Sequence, residues 1–319
     1  SVDGVLDVIE IPRVSRPFGP LGGIAVVATN TWAAMKGRDA LQIEWDFGEN
    51  KGYDSEAYMN MITENVQKQG KVVKDVGNVN KVFKNASIVI EITYQLPNLS
   101  HAPMEVPNAV AWVQGDKCEV WAPTQEPQAS RTEVASFLET SEENVTVNVT
   151  FLGGGFGRKS KPDYIVEAAA VSKAINAPVQ VVWSREDDIK HGYYHTVCAQ
   201  YMKGSLDSKG KVTGWLHRFA LPSITSTFAP GVDYAAGFEI SSASILPYEL
   251  ENMKVEVGKA PAHVRIGWYR SVINIPHGFS VNVFADELAA AAGRDPLEFQ
   301  LELMGEDRNV TPKAEYSFD

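Results

Sequence analysis

From Asn144 to Phe151 the chain alternates strictly, Asn-Val-Thr-Val-Asn-Val-Thr-Phe, and then runs into Gly153-Gly-Gly155-Phe156-Gly157-Arg158-Lys159-Ser160. Period-two alternation predicts a strand, and the spacing from Asp163 to Asn176 predicts a helix. A strand that turns through clustered glycines into a helix commits this region to a mixed α/β arrangement. It also lets consecutive backbone N–H groups face an anionic or oxo ligand. Three phosphate-binding loops fail on particular residues. A Walker A loop needs Gly directly before Lys, where Arg158 stands, and a dinucleotide fingerprint starting at Gly153 fails at the same residue. A kinase glycine loop would want Gly where Leu152 stands. A plain tight turn stays open as the alternative. Phe156 weighs against it, because an aromatic between glycines adds little to a turn yet can wall a pocket.

Elsewhere the pattern is of mixed strands and helices. Val5–Ile11 reads as a strand, Pro12–Gly23 as a loop and Ile24–Ala28 as a buried strand. Thr29-Asn30-Thr31 offers an N-cap for a helix running through Met35 toward Leu41, and Leu41–Trp45 alternates as a further strand. The polar stretch Asp46–Asp54, with Gly48 and Gly52, marks the expected domain boundary. A helix is predicted over 56–69, strands over 87–94, 109–113, 118–121 and 179–183, and a helix over 130–140. Val281–Ala292 reads as an apolar helix stopped at Gly293, followed by a helix capped at Asp295.

Composition removes whole classes. With 319 residues, 44% hydrophobic and 22% charged, the chain is an ordinary globular sequence long enough for one large domain and a smaller one. A net charge of -11 lacks the basic excess that nucleic-acid binding requires. Two cysteines, Cys118 and Cys198, cannot hold a four-thiolate cluster, and His191-Gly-Tyr-Tyr-His195 lacks the glutamate of a zinc-protease motif. No apolar run reaches the length of a membrane span. The sequence opens on Ser1 and reads as strand by Val5, so it is expected to begin inside a fold.

Several segments, in order, resemble the molybdopterin-binding large subunit of the xanthine dehydrogenase/aldehyde oxidase family of molybdenum hydroxylases. They are Trp121-Ala-Pro-Thr-Gln125, the loop Gly153–Gly157, Trp183-Ser-Arg-Glu-Asp-Asp188, Gly267-Trp-Tyr-Arg270-Ser-Val272, Phe284–Leu288 and Gly293–Leu297. The opening fifty residues resemble part of a hammerhead-like domain. Arg158-Lys159-Ser160 stands where the purine-oxidising branch has Gly-Lys-Glu, and the form around Arg270 points to the branch typified by the isoquinoline 1-oxidoreductase beta subunit.

The resemblance implies an α+β fold with a partial hammerhead-like domain at 1–50, a linker with a helix at 51–75, and the first half of a molybdopterin-binding domain at 76–319. It implies Gln125 as amide donor to the metal's apical oxo ligand and Arg270 facing charge on the substrate, both catalytic. Gly154, Gly155, Phe156, Gly157 and Arg158, with Gln125, would bind the cofactor. That cofactor is molybdopterin, in the cytosine dinucleotide form, with molybdenum held through the pterin dithiolene and by no side chain. Implied partners are the C-terminal half of the large subunit, a small subunit carrying [2Fe-2S] clusters, and a small-molecule substrate, an aldehyde or N-heteroaromatic compound. Bacterial relatives occur on both sides of the inner membrane. The family's glutamate base has no matching position before Asp319, so this chain alone is not expected to catalyse. Blander readings stand beside these: Gln125 as a surface amide, Arg270 paired with a structural acid, Phe156 in a core, Arg158 and Lys159 as a solvated basic patch, and Arg185–Asp188 as a solvated face or helix start. For the whole, the rivals are a non-catalytic binding or assembly protein on the same fold, and a ligand-binding module with a chance glycine loop.

Overall fold

The computed structural model describes residues 2–309. The chain forms two compact units and passes between them repeatedly. Among the described residues, one contains the segment through Lys51, Ser100–Tyr194 and Gly267–Arg270; the other contains Gly52–Leu99, His195–Ile266 and the segment from Ser271. The first change of unit falls between Lys51 and Gly52, and the chain changes unit again several times beyond it. The stretch read as a linker carries the helix Ser55–Gln67, whose Tyr58, Ile62 and Val66 are buried in the second unit.

In the first unit, Val5–Ile11 pairs antiparallel with Gly23–Ala28, with Ile9 opposite Ala25. The helix Thr31–Asp39 follows, and the Asn30 side chain accepts from the Ala33 amide at its N-terminus, as the Thr-Asn-Thr signal predicts. Leu41–Trp45 is irregular rather than a strand. Ile43 and Trp45 are exposed, so the alternation there marks no sheet face.

The rest of this unit is built on a sheet of order Val145–Val149, Lys117–Ala122, Asn108–Gln114, Val179–Val182. The first two run parallel and the other neighbours antiparallel. Ala109, Ala111, Val113, Val120 and Ala122 meet Val134 and Ala135 of the helix Pro127–Leu138 and Ile165, Val166, Ala168 and Ala169 of the helix Asp163–Ile175. Alanines on both sides let helix and sheet approach closely, while each fully buried Val or Ile contributes about 1.5–3 kcal/mol. Val145–Val149 is the strand the alternation predicts, at the edge of the sheet and with only Val145 buried. From that edge the chain enters the glycine loop, and the helix Asp163–Ile175 carries it away.

The second unit has a mixed sheet of order Lys71–Val76, Met253–Val257, Val212–Ala220, Cys198–Leu206, Ile88–Leu96. Only Val212–Ala220 and Met253–Val257 are parallel. Trp215, Phe219, Met202 and Leu206 pack with Phe284 and Leu288 of the helix Asn274–Ala291. Ala199 and Ala220 pack instead with Ile62 and Val66 of the helix Ser55–Gln67. The helix Asn274–Ala291 starts earlier than its apolar run predicts and ends before Gly293, which has a φ of 65°. Asp295 then caps Pro296–Met304 by accepting from the Leu297 and Glu298 amides. Both cysteines are free and buried.

Candidate cofactor site in the first unit

Two side chains pin the glycine loop at its ends. Glu105 accepts from the Gly153 amide at 2.9 Å, forms an ion pair with Lys159, and donates its own amide to the Gly153 carbonyl. Gln125 holds the other end: its Oε1 accepts from the Gly157 amide at 3.0 Å, and its backbone N–H donates to the Lys159 carbonyl at 2.9 Å. Because that amide demands an acceptor, the Gln125 amino group is turned away from the loop. Gln125 is exposed, and its amino group donates to no protein atom among the described residues.

Between the pins, the N–H groups of Gly154, Gly155 and Phe156 donate to no protein atom among the described residues. Gly155 is itself buried. Gly154 is half-buried and Phe156 exposed, so these N–H groups remain available to an acceptor other than the chain's own described atoms. The glycines are sterically required. A Cβ at Gly155 would run into the Gln125 side chain, and one at Gly157, where φ is 99°, would run into the Trp268 carbonyl.

Phe156 is also left-handed, with φ 54°, and the residue is 41% exposed rather than in a core. Its carbonyl accepts from the Arg270 amide at 2.9 Å, and the Arg270 guanidinium lies 5.6 Å from the ring centroid. Arg270 is exposed, and no carboxylate pairs with it among the described residues. Direct hydrogen bonds thus bring Gln125, the loop and Arg270 to one place.

Arg158 does something other than expected. It is 1% exposed, forms a two-pronged pair with Asp163 at 2.8 and 3.0 Å, and lies against the rings of Tyr164, Trp183 and Tyr193. Neither it nor Lys159, which is fully buried, is a solvated basic patch. The carboxylate of Asp163 holds the guanidinium charged against burial, and that commitment takes the Arg158 side chain away from the loop's open face. The run Arg185–Asp188 starts a helix: Ser184 and Asp187 form a capping box, and Arg185 pairs with Asp188 at 2.6 Å.

Two further residues were missed in the sequence. His101 Nε2 lies 2.8 Å from the Trp268 carbonyl, its ring stacks on Tyr269, and burial pulls its pKa down to about 4, so the neutral ring donates to that carbonyl. Lys161 is fully buried and donates to Ser160 Oγ and the Gly157 carbonyl at 2.7 and 3.2 Å. For Lys161 the hint was its place beside the glycine cluster; for His101 it was the following segment Glu105-Val-Pro107, which resembles a family segment near the site without any chemistry being assigned to it.

Residues 62–304 match the family described as the molybdopterin cofactor-binding domain. The chain belongs to that family. Among curated relatives, this molybdopterin-binding chain is 29% identical over 299 residues to a subunit of the nicotinate dehydrogenase of Pseudomonas putida, covering 90% of this chain and 25% of the relative. It is 24% identical over 308 residues to the beta subunit of isoquinoline 1-oxidoreductase from Brevundimonas diminuta, covering 92% and 39%. The chain therefore spans between a quarter and two-fifths of the length of these relatives. The aldehyde oxidoreductase of Desulfovibrio gigas shares the fold, with a TM-score of 0.70 at 17% identity over 94% of this chain and 37% of that one. The loop fits the family's cofactor: the amides at Gly154–Phe156, unpartnered among the described residues, and the amino group of Gln125 could form a donor set for an anionic or oxo group, with Phe156 as an apolar wall.

Proposed function

We propose that this chain is the cofactor-holding part of the large subunit of a molybdenum hydroxylase that oxidises a C–H bond of an aldehyde or N-heteroaromatic compound with oxygen taken from water. The observation that carries this reading is the group of amides at Gly154, Gly155 and Phe156, unpartnered among the described residues and flanked by the outward amino group of Gln125 and by Arg270. When bound, the molybdenum-pterin group supplies the redox chemistry. The chain's own residues would hold and orient it: the loop amides and Gln125 would serve as donors to it, and their fixed placement would remove the cost of reorganising donors as charge develops. Arg270, beside the Phe156 ring, offers a cation to negative charge on the substrate, while Phe156 excludes water from one side.

The cytosine dinucleotide form of the pterin, the isoquinoline oxidoreductase-like branch and a bacterial source belong to this proposal. So do a small subunit with [2Fe-2S] clusters as electron acceptor and a further part of the large subunit that provides the general base. The naming of both curated relatives as subunits supports an assembly of several parts. Residues 1–50 are read as part of a hammerhead-like domain.

The test is to purify the complete complex, measure molybdenum and pterin per protein, and assay dye reduction with panels of aldehydes and N-heterocycles. One molybdenum per large subunit and turnover of one panel are expected. A complex without molybdenum or pterin would sink the proposal, and a loaded complex inert to both panels would favour a non-catalytic binding role.

A further inference from the structure

Lys161 stands apart from the other buried cations. Arg158 and Lys159 each have a carboxylate partner, but no carboxylate lies within ion-pair distance of Lys161 among the described residues. Its ammonium instead donates to the Gly157 carbonyl and the Ser160 hydroxyl, and rests 3.9 Å from the centroid of the Trp268 ring. The centroid of the Phe18 ring is 5.8 Å away. Gly267 makes room for the stem, since a Cβ there would come within 3.2 Å of the Lys161 Cε. The same side chain therefore touches the last residue of the glycine loop and the segment Gly267–Arg270.

We propose that Lys161 is a positioning residue whose amine clamps Gly157 to Trp268 and thereby fixes Arg270 relative to the loop amides of Gly154–Phe156. Its importance to catalysis rests on the function proposed above; the clamp itself does not. Three contacts converge on one nitrogen: two carbonyl- or hydroxyl-directed bonds on the loop side and an aromatic face on the other. The His101 bond holds the Trp268 carbonyl where it presses on Gly157, while the Lys161 contact holds the indole of the same residue.

The clamp responds to pH. Burial lowers the Lys161 pKa to about 7, with Arg158 lowering it further and Asp163 and Glu126 raising it. His101, which bonds the Trp268 carbonyl, is neutral across the same range, and the Tyr193 side chain also packs on this segment at Gly267. Below neutrality the charged amine makes charge-assisted hydrogen bonds and a cation–π contact; above it both weaken. The clamp therefore slackens as pH rises through about 7.

The experiment uses the complete complex with wild-type chain, Lys161→Met, Lys161→Arg and Trp268→Phe. The fluorescence difference between wild type and Trp268→Phe, followed from about pH 5.5 to 8.5, should show one transition centred near neutrality. Lys161→Met should abolish it, and Lys161→Arg, which stays charged, should flatten it. With molybdenum content unchanged, Lys161→Met should lower kcat/KM by roughly 10- to 100-fold and remove the limb of its pH profile near neutrality. A fluorescence difference that does not change with pH, or a Lys161→Met enzyme with the wild-type pH profile, overturns the clamp. Should Lys161→Met fail to fold, the wild-type and Lys161→Arg titrations decide. A complex free of molybdenum would defeat the proposed function, while the fluorescence titration would still judge the clamp.

Discussion

Gln125 shows how one side chain can be both fastener and reagent. Its oxygen is consumed by the Gly157 amide, and that bond is what aims its amino group outward. Replacing it with leucine removes both at once. Under the proposed function, Gln125→Leu should reduce kcat by about 100- to 1000-fold, the usual cost of one preorganised donor, in steady-state assays on the loaded complex. Wild-type turnover from that variant would remove Gln125 from the chemistry. This residue, the loop glycines and Arg270 were legible in the sequence because few residue types satisfy such geometry: only glycine tolerates a carbonyl pressed against its Cα at position 157. Lys161 was not legible, because an isolated lysine reads as solvated and its burial follows from aromatic partners as distant in sequence as Phe18 and Trp268. The burial of Arg158 was not legible for a related reason, since its partner Asp163 had been read only as the start of a helix.

At the scale of elements, the Arg158–Asp163 pair joins the end of the glycine loop to the first turn of the helix Asp163–Ile175. Both side chains are about 1% exposed, so the pair has no water to fall back on. Asp163→Asn would leave an uncompensated buried guanidinium and should destabilise the chain by about 3–5 kcal/mol, read from the midpoint of chemical denaturation. A midpoint shift of under about 1 kcal/mol would mean that other groups carry the charge. Elements exposed on one face were the readable ones. Cys198–Leu206 has nearly every residue buried, because the helices Ser55–Gln67 and Asn274–Ala291 pack on this sheet, so its side chains lose the alternation that announces a strand. Leu41–Trp45 made the opposite error, alternating without a neighbour to pair with.

For the whole molecule, several buried histidines set its response to acid. In the second unit, His217 Nε2 and His277 Nδ1 converge on the Gln200 Oε1 at 2.9 and 3.0 Å. Burial lowers the His277 pKa to about 4 and that of His217 well below its ordinary value; His101 in the first unit is also lowered to about 4. The unfolded chain would bind protons at these sites from about pH 6.5 downward while the folded chain resists until about pH 4. Stability contributed by the neutral rings is complete above about pH 6.5 and is lost progressively on acidification toward pH 4. Thermal melts should show Tm falling between pH 6.5 and 4.5, with a smaller fall in His277→Gln. Equal pH slopes for the two proteins would exclude His277 from this linkage.

Phe156 occupies a backbone conformation that any residue with a Cβ resists, at a cost of about 1 kcal/mol or more. Glycine there would relax the main chain, so evolution or an engineer selecting for thermal robustness alone would be drawn to delete the ring. The aromatic wall is thus a trait that heat selection tends to erode and only selection for turnover can keep.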